Sequence, residues 1–472
     1  MTFAIRQHRL PVRTQRRSIS SYAADFLAFL IGATITYNLR LVGDLPVAEA
    51  ILFFLLPFLL AFHPRRASSP LLKMVYLFLG LWLFGQVMSD IYHETRAVNW
   101  MRGDAEIIFF AIDIACLAVL LVGNDLRKVL FLSGFAAGSF ASTTYHLGVL
   151  NEPWKFGYAM PTILTVLIIS SHFYGRQKFI TSGLLLAGII VVNLVLNYRS
   201  PVLILLIVVA LVFPVVPERI GGMRILPRPG NAMRIVVLAG FVMGAAWLSQ
   251  TLVVYVTASG FLSEEAKEKN EEQAKGGNLL LGGRSEVLVS SRAVMESPIV
   301  GHGSWATDRR YTEMLFDLRA ERGESQEPVE NWAGDIPAHS HLMGAWVWAG
   351  ILGAVFWFYI LWLTIKAIVR ASVLRQPTAP LYLWILGNFF WDILFSPFGN
   401  WQRIYGGIAI ILILDLLEHR VPAIHKVTLS SWTGKRYLSE PWGTSRPTRL
   451  SRLGAWRRPV PLKRNWRGVR GL

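Results

Sequence analysis

The chain has 472 residues, of which 53% are hydrophobic and only 16% charged. Soluble domains carry about a quarter charged residues, so the composition excludes an ordinary water-soluble fold and predicts an integral membrane protein. The formal charge of +17 invites a nucleic-acid reading, but much of it sits in the first seventeen residues and beyond His419. There it suits anionic lipid at a cytoplasmic surface, and no nucleic-acid partner is expected.

A bilayer core needs about twenty apolar residues per helix. In chain order, the spans so predicted are Tyr22–Leu39, Val47–Phe62, Leu71–Met88, Ile107–Val122, Val129–Leu147 and Ala159–Phe173. They continue with Phe179–Leu196, Val202–Val216, Ile235–Val256, Leu342–Val369, Leu381–Ser396 and Ile404–Leu417. The first apolar stretch is too long and starts too late for a cleavable leader. The fold class expected is therefore an all-α polytopic membrane protein of about twelve transmembrane helices. Its parts are a basic N-terminus (1–21), helices one to nine (22–256), a large polar insertion (257–341), helices ten to twelve (342–418) and a basic tail (419–472).

Positive residues orient this arrangement. His63–Arg66, Asn124–Lys128, Gly175–Lys178, Pro217–Arg234 and Arg370–Arg375 alternate with loops poorer in Lys and Arg. The rule that such loops stay inside puts both termini in the cytoplasm and the insertion on the opposite face. The Tyr92–Asp104 loop breaks the bias: its Arg96 and Arg102 are substrate-binding candidates, because charge on that face serves something other than topology. The tail mixes Trp432, Trp442, Trp456 and Trp466 with its cations, as headgroup-level segments do.

Within the insertion, Ser263–Glu272 is charged all round and predicts a solvated helix or lid. Arg284–Ser297 places Val287, Leu288, Ser291, Val294 and Met295 on one helical face. Pro298 and the Gly301-His-Gly303 turn stop that helix, and Arg309–Asn331 reads as polar and irregular. The lone cysteine, Cys116, lies in an apolar run and reads as a small core residue.

Three positions carry candidate chemistry. Arg199 stands between two spans in Asn197-Tyr-Arg-Ser-Pro201, Arg284 opens the insertion helix, and His339 precedes the tenth span. Arginine forks match phosphate oxygens, and a histidine poised near neutral pH takes a proton from a hydroxyl. The bland alternatives are a snorkelling Arg199, an Arg284 that solvates its helix, and a His339 held in a capping turn. Apart from His339 and His341 no His, Asp, Glu or Cys have metal-ligand spacing, and those two cannot share a helical face. No metal and no cofactor is expected. Asp113 and Asp392 lie inside predicted spans and need partners or water, as do Gln86 and Asp90 near a span end.

The stretch Gly283-Arg-Ser-Glu, then Glu296-Ser-Pro-Ile-Val-Gly-His-Gly303, then Ala338-His-Ser-His-Leu342 with Gly350 and Gly353, resembles the O-antigen ligase and polymerase superfamily. Its members pair a His-Asn or His-Ser with a Gly-x-x-Gly eleven residues on, and His339, Gly350 and Gly353 keep that register. Tyr198-Arg-Ser200 is similar to the family's Ser-Arg element.

The resemblance implies a metal-independent, inverting GT-C-like glycosyltransferase of the bacterial inner membrane with a periplasmic loop. The donor would be an undecaprenyl-diphosphate-linked glycan, and the acceptor lipid A-core or a growing polysaccharide. Membrane lipid and other polysaccharide-assembly proteins would be its partners. Arg199 and Arg284 would hold the diphosphate and His339 would be the base, with His341 a substrate-contacting rival. Ser340 stands where Asn is common, and the basic tail departs from the family pattern. A lipid flippase or polysaccharide transporter is the alternative. The motifs do not choose between ligase and polymerase, which share a donor site.

Overall fold

The computed structural model describes residues 19–40, 43–62, 69–142, 152–196, 198–213, 219–220, 223–224, 240, 244, 251, 255, 285–321, 334–374 and 376–418. Among them are thirteen α-helices. The first eight are α1 (Ile19–Ala33), α2 (Val47–Phe62), α3 (Pro70–Tyr92), α4 (Ala97–Leu121), α5 (Asp125–Ser142), α6 (Ala159–Gly175), α7 (Phe179–Val195) and α8 (Arg199–Val212). After the insertion begins come α9 (Ser285–Glu296), α10 (Arg309–Glu321), α11 (His341–Leu374), α12 (Ala379–Phe395) and α13 (Trp401–Glu418). Pro70–Tyr92, Trp154–Gly175 and His341–Leu374 are long and apolar enough to cross a membrane, and five shorter helices are apolar.

The packing follows from side-chain size. Facing α1, the sequence of α5 reads Gly134-Phe-Ala-Ala-Gly138, and β-carbons on Gly32, Gly134 or Gly138 would collide with backbone carbonyls across that interface. Small residues thus let two helices touch backbone to backbone, the way helices associate when water supplies no driving force. At the centre, α13 is buried on every side from Arg403 to Leu416, so its apolar residues need no polar face. Large apolar residues also point outward, among them Phe54 (72% exposed), Leu77 (55%) and Ile180 (82%). A surface of that kind is at ease in hydrocarbon rather than in water.

Buried charge pairs mark the two ends of the helix pack. At one end Lys128 is paired with Asp125 and Asp415, Arg127 with Asp25, and Glu418 accepts from the Leu71 amide at 2.6 Å. At the other, Arg403 forks onto Glu49. This second end also holds the N-termini of α4 and α11, and is called the His339 end below.

Several boundaries differ from the sequence expectation. The first span stops at Ala33, because Asn38–Arg40 pairs antiparallel with Asp44–Pro46 in a short hairpin that satisfies the backbone groups instead. Helix α4 starts at Ala97, so most of the predicted Tyr92–Asp104 loop is helical. The irregular reading of Arg309–Asn331 is corrected over Arg309–Glu321, where α10 buries Tyr311, Thr312, Leu315 and Phe316 at helical spacing; residues 322–331 lie outside the described residues. The predicted face of α9 is also corrected. Ser285, Val289, Ser290, Ala293 and Val294 are buried, whereas Leu288 and Met295 are exposed. The smaller residues face inward because α9 lies close against α11. Of the predicted span Ile235–Val256 only Gly240, Gly244, Thr251 and Tyr255 are described. Ser263–Glu272, both basic ends and Arg284 lie outside the described residues.

Candidate functional site

The site is organised by a break in α11. At Gly350 the chain leaves the helix with φ 63° and ψ −155°, a conformation open essentially only to glycine. The break strands the carbonyls of Val347 and Trp348, which would otherwise accept from the next turn. The Pro298–Gly303 turn fills it. His302 N–H donates to Val347 O at 2.7 Å, Gly303 N–H to Trp348 O at 3.1 Å, and Ile351 N–H to Ile299 O at 3.2 Å. Trp346 Nε1 adds a bond to Pro298 O at 2.9 Å. Interrupted helices are tolerated at membrane depth only where protein re-satisfies the backbone, and here the motif turn does so.

The far side of the same turn is held by α3 and α4. Asp90 accepts the Ser304 N–H and Oγ–H, both at 2.6 Å, and Gln86 donates to Ser304 Oγ at 2.6 Å. Ser89 Oγ accepts from Gly303 N–H at 2.9 Å, and His93 donates to Gly301 O at 2.9 Å. Asn99 of α4 donates to Trp305 O at 3.3 Å. Gln86 and Asp90, expected from the sequence to need partners, find them here. Arg96 and Arg102 stand exposed on the first turns of α4, beside this turn.

The segment carrying His339 is fixed from both sides. Ile336 N–H donates to Ala306 O at 3.0 Å, and its buried side chain packs with Val289, Leu315 and Val347. Ser340 then caps α11, accepting from Met343 N–H at 3.1 Å and donating to Ile393 O at 2.9 Å. Ser and Asn are both favoured caps, so either residue type serves this position. Between these anchors His339 is exposed and has no hydrogen bond among the described residues. His341 differs in kind. It is 1% exposed, donates Nδ1–H to Ser396 O at 2.7 Å, and has its ring against Trp357 and Phe398 at 4.9 and 5.2 Å between centroids.

Arg199 begins α8 at the same end. The helix it begins packs against α12, where Ile204 Cγ2 would stand 3.0 Å from a β-carbon added to Gly387. Asp392 accepts from Ser396 Oγ at 2.6 Å and Asn388 at 2.7 Å, and the residues bonded to Ser340 and His341 are Ile393 and Ser396 of that same helix end. Helix α12 thus contacts both the helix that Arg199 begins and the His339 segment. Arg199 itself is half-buried.

Helices α9 and α10 complete the insertion. Tyr311 donates to Glu296 at 2.6 Å and Arg292 to the same carboxylate at 2.9 Å; with Tyr311 foremost, these hold Glu296 below its usual range. Arg310 bonds Asp308 and likewise holds it low.

Sequence reasoning missed Glu49, Glu106 and Arg403, which meet beneath the His339 end. The available signal was an ionisable residue near the edge of a predicted span, the criterion that singled out Asp90. Among the described residues no three His, Cys, Asp or Glu are grouped to hold a metal ion. No family model and no curated protein matches the chain.

Proposed function

We propose that the protein is a membrane glycosyltransferase of O-antigen ligase or polymerase type. In this reading it has about twelve spans in a GT-C-like arrangement, sits in the bacterial inner membrane with both termini cytoplasmic, and works at the periplasmic face. It transfers glycan from undecaprenyl diphosphate to a saccharide acceptor. The observation that carries the reading is that α12 packs against the helix begun by Arg199 and also bonds the His339 segment.

In this mechanism an imidazole nitrogen of His339 takes the proton of the acceptor hydroxyl. The freed oxygen bonds the anomeric carbon as the bond from that carbon to the diphosphate breaks. The diphosphate leaves with the electron pair, its charge offset by Arg199 and Arg284. His339 suits the base because its side chain is exposed on a segment anchored at both sides. His341, enclosed by Trp357 and Phe398, suits a supporting place.

A flippase or transporter is the second reading, favoured by the interrupted α11, since broken helices are common in transport proteins. Against it, the break is filled by the Pro298–Gly303 turn. Purified protein in liposomes loaded with a lipid-diphosphate-linked glycan separates the two. A new glycosidic bond with release of the lipid diphosphate supports the transferase; translocation of intact donor without one overturns it.

A further inference from the structure

Three carboxyl groups and one guanidinium are enclosed where α2, α4 and α13 meet. Arg403 donates Nε–H to Glu49 Oε1 at 2.7 Å and Nη2–H to Oε2 at 2.8 Å. Its Nη1 stands 3.9 Å from Glu106 Oε1. Asp113 and Glu49 are both 0% exposed. Neither Asp113 oxygen has a hydrogen-bond partner of normal length among the described residues, although the carboxyl faces Glu49 and Arg403 closely enough to interact with both. Gly407 of α13 faces α4 here: an added β-carbon would stand 3.0 Å from Leu117 Cδ1 and 3.7 Å from Asp113 Cβ. Two further groups border the site: Cys116 of α4, which donates to Leu52 O at 3.3 Å, and Tyr76 of α3, near Cys116.

Fully ionised, three carboxylates facing one guanidinium would leave an excess of negative charge inside the helix pack. An unpaired ion is costly there, and groups so placed give up their charge instead. A metal ion would also neutralise them, but no suitable ligand group exists among the described residues. The Glu49 carboxylate already has both oxygens on Arg403, which leaves Asp113 and Glu106 as the members to be neutralised.

We propose that this cluster is a proton-binding site, with protons held on Asp113 and Glu106 while Glu49 remains ionised on Arg403. Glu106 is the member through which protons exchange: its side chain is 15% exposed, against 5% for Arg403 and 0% for Glu49. It lies against Gly399 in the turn before α13, where an added β-carbon would be 3.3 Å from Oε1. The site is separate from His339 and does not rest on the transferase reading.

Infrared spectroscopy of the full chain in detergent at neutral pH tests it, through the C=O stretch of protonated carboxyl groups. The expected result is that Asp113→Asn and Glu106→Gln each remove one carboxyl's share of that band while melting close to the wild type. An unchanged band in either variant overturns the proposal. So does a sodium-dependent rise in melting temperature that Asp113→Asn abolishes, since that identifies a metal-ion site. Asparagine matches a neutral aspartic acid in size and charge, so failure of Asp113→Asn to fold also counts against it.

Discussion

Gly350 in the middle of α11 lies directly against the backbone carbonyl of Ile299 in the motif turn, with no room for a side chain between them. Its φ of 63° is reserved for glycine on conformational grounds as well. Gly350→Ala therefore meets a backbone collision and a strained conformation together, and should lower stability by about 3 kcal/mol or more. Gly344→Ala, on the same helix, would place its new β-carbon no nearer than 4.0 Å to a neighbour, Ala338 O, and should stay within about 1 kcal/mol of the wild type. Thermal melts in detergent compare the two, and equal losses would refute the docking argument.

The Asp90 carboxylate holds Ser304 by two short bonds. Asp90→Ala leaves a buried N–H and a buried hydroxyl without that acceptor, at about 1–3 kcal/mol for each group left unsatisfied. The turn at Gly303–Trp305 should open, which amide hydrogen exchange at Ser304 reads directly. Exchange as slow as in the wild type would mean that water replaces the carboxylate.

Removing one partner of the Arg403–Glu49 fork breaks both of its charge-assisted bonds in a buried place. Glu49→Gln should cost about 3–5 kcal/mol. The double change Glu49→Leu with Arg403→Met should recover much of that loss, because no uncompensated charge remains. A double variant as unstable as the sum of the single ones would contradict this.

The contact between α9 and α10 should be acid-labile. Tyr311 and Arg292 hold Glu296 below the usual carboxylate range, and Arg310 does the same for Asp308. A lowered folded-state value means the stabilisation is complete above the unfolded-state value and is lost as pH falls through the folded one. Hydrogen exchange in α10 should therefore quicken as pH drops below the ordinary carboxylate range, with Tyr311→Phe weakening the dependence on Glu296. A flat profile would show that apolar packing by Tyr311 and Leu315 alone holds the pair.

On the transferase reading, His339→Ala should nearly abolish glycan transfer and leave melting unchanged, because the side chain is exposed. His341→Ala should instead lower the melting temperature, since it removes a buried ring and the bond to Ser396. Arg284→Lys should weaken donor-lipid binding, a point charge replacing a bidentate fork. Activity retained in His339→Ala but lost in a stably folded His341→Ala would move the base to His341.

How much of this was legible in the chain depends on the range of the interaction. Apolar runs of sufficient length mark α3, α6 and α11 without any tertiary knowledge, because a bilayer imposes its thickness on each segment separately. The turn residues Pro298, Gly301 and Gly303 were equally readable as a stop. Their partner was not: the sequence shows Gly350 only as a motif position within an apolar span, whereas in the fold it admits the turn into an interrupted helix. The inward face of α9 was misjudged for a similar reason. Periodicity finds bulky apolar residues, but a closely packed neighbour selects small ones such as Ser285 and Ala293.

The amino-acid sequence by itself determined that this is a helical chain with membrane-length segments, and that Pro298 and the following glycines end a helix, since hydrophobicity and turn chemistry act over a few residues at a time. Tertiary structure alone decided that Ser304 answers Asp90, that Arg403 answers Glu49, and that His341 is enclosed while its neighbour but one, His339, is exposed. Those outcomes join residues up to 354 positions apart. They depend on which helix ends meet, and no local pattern encodes that.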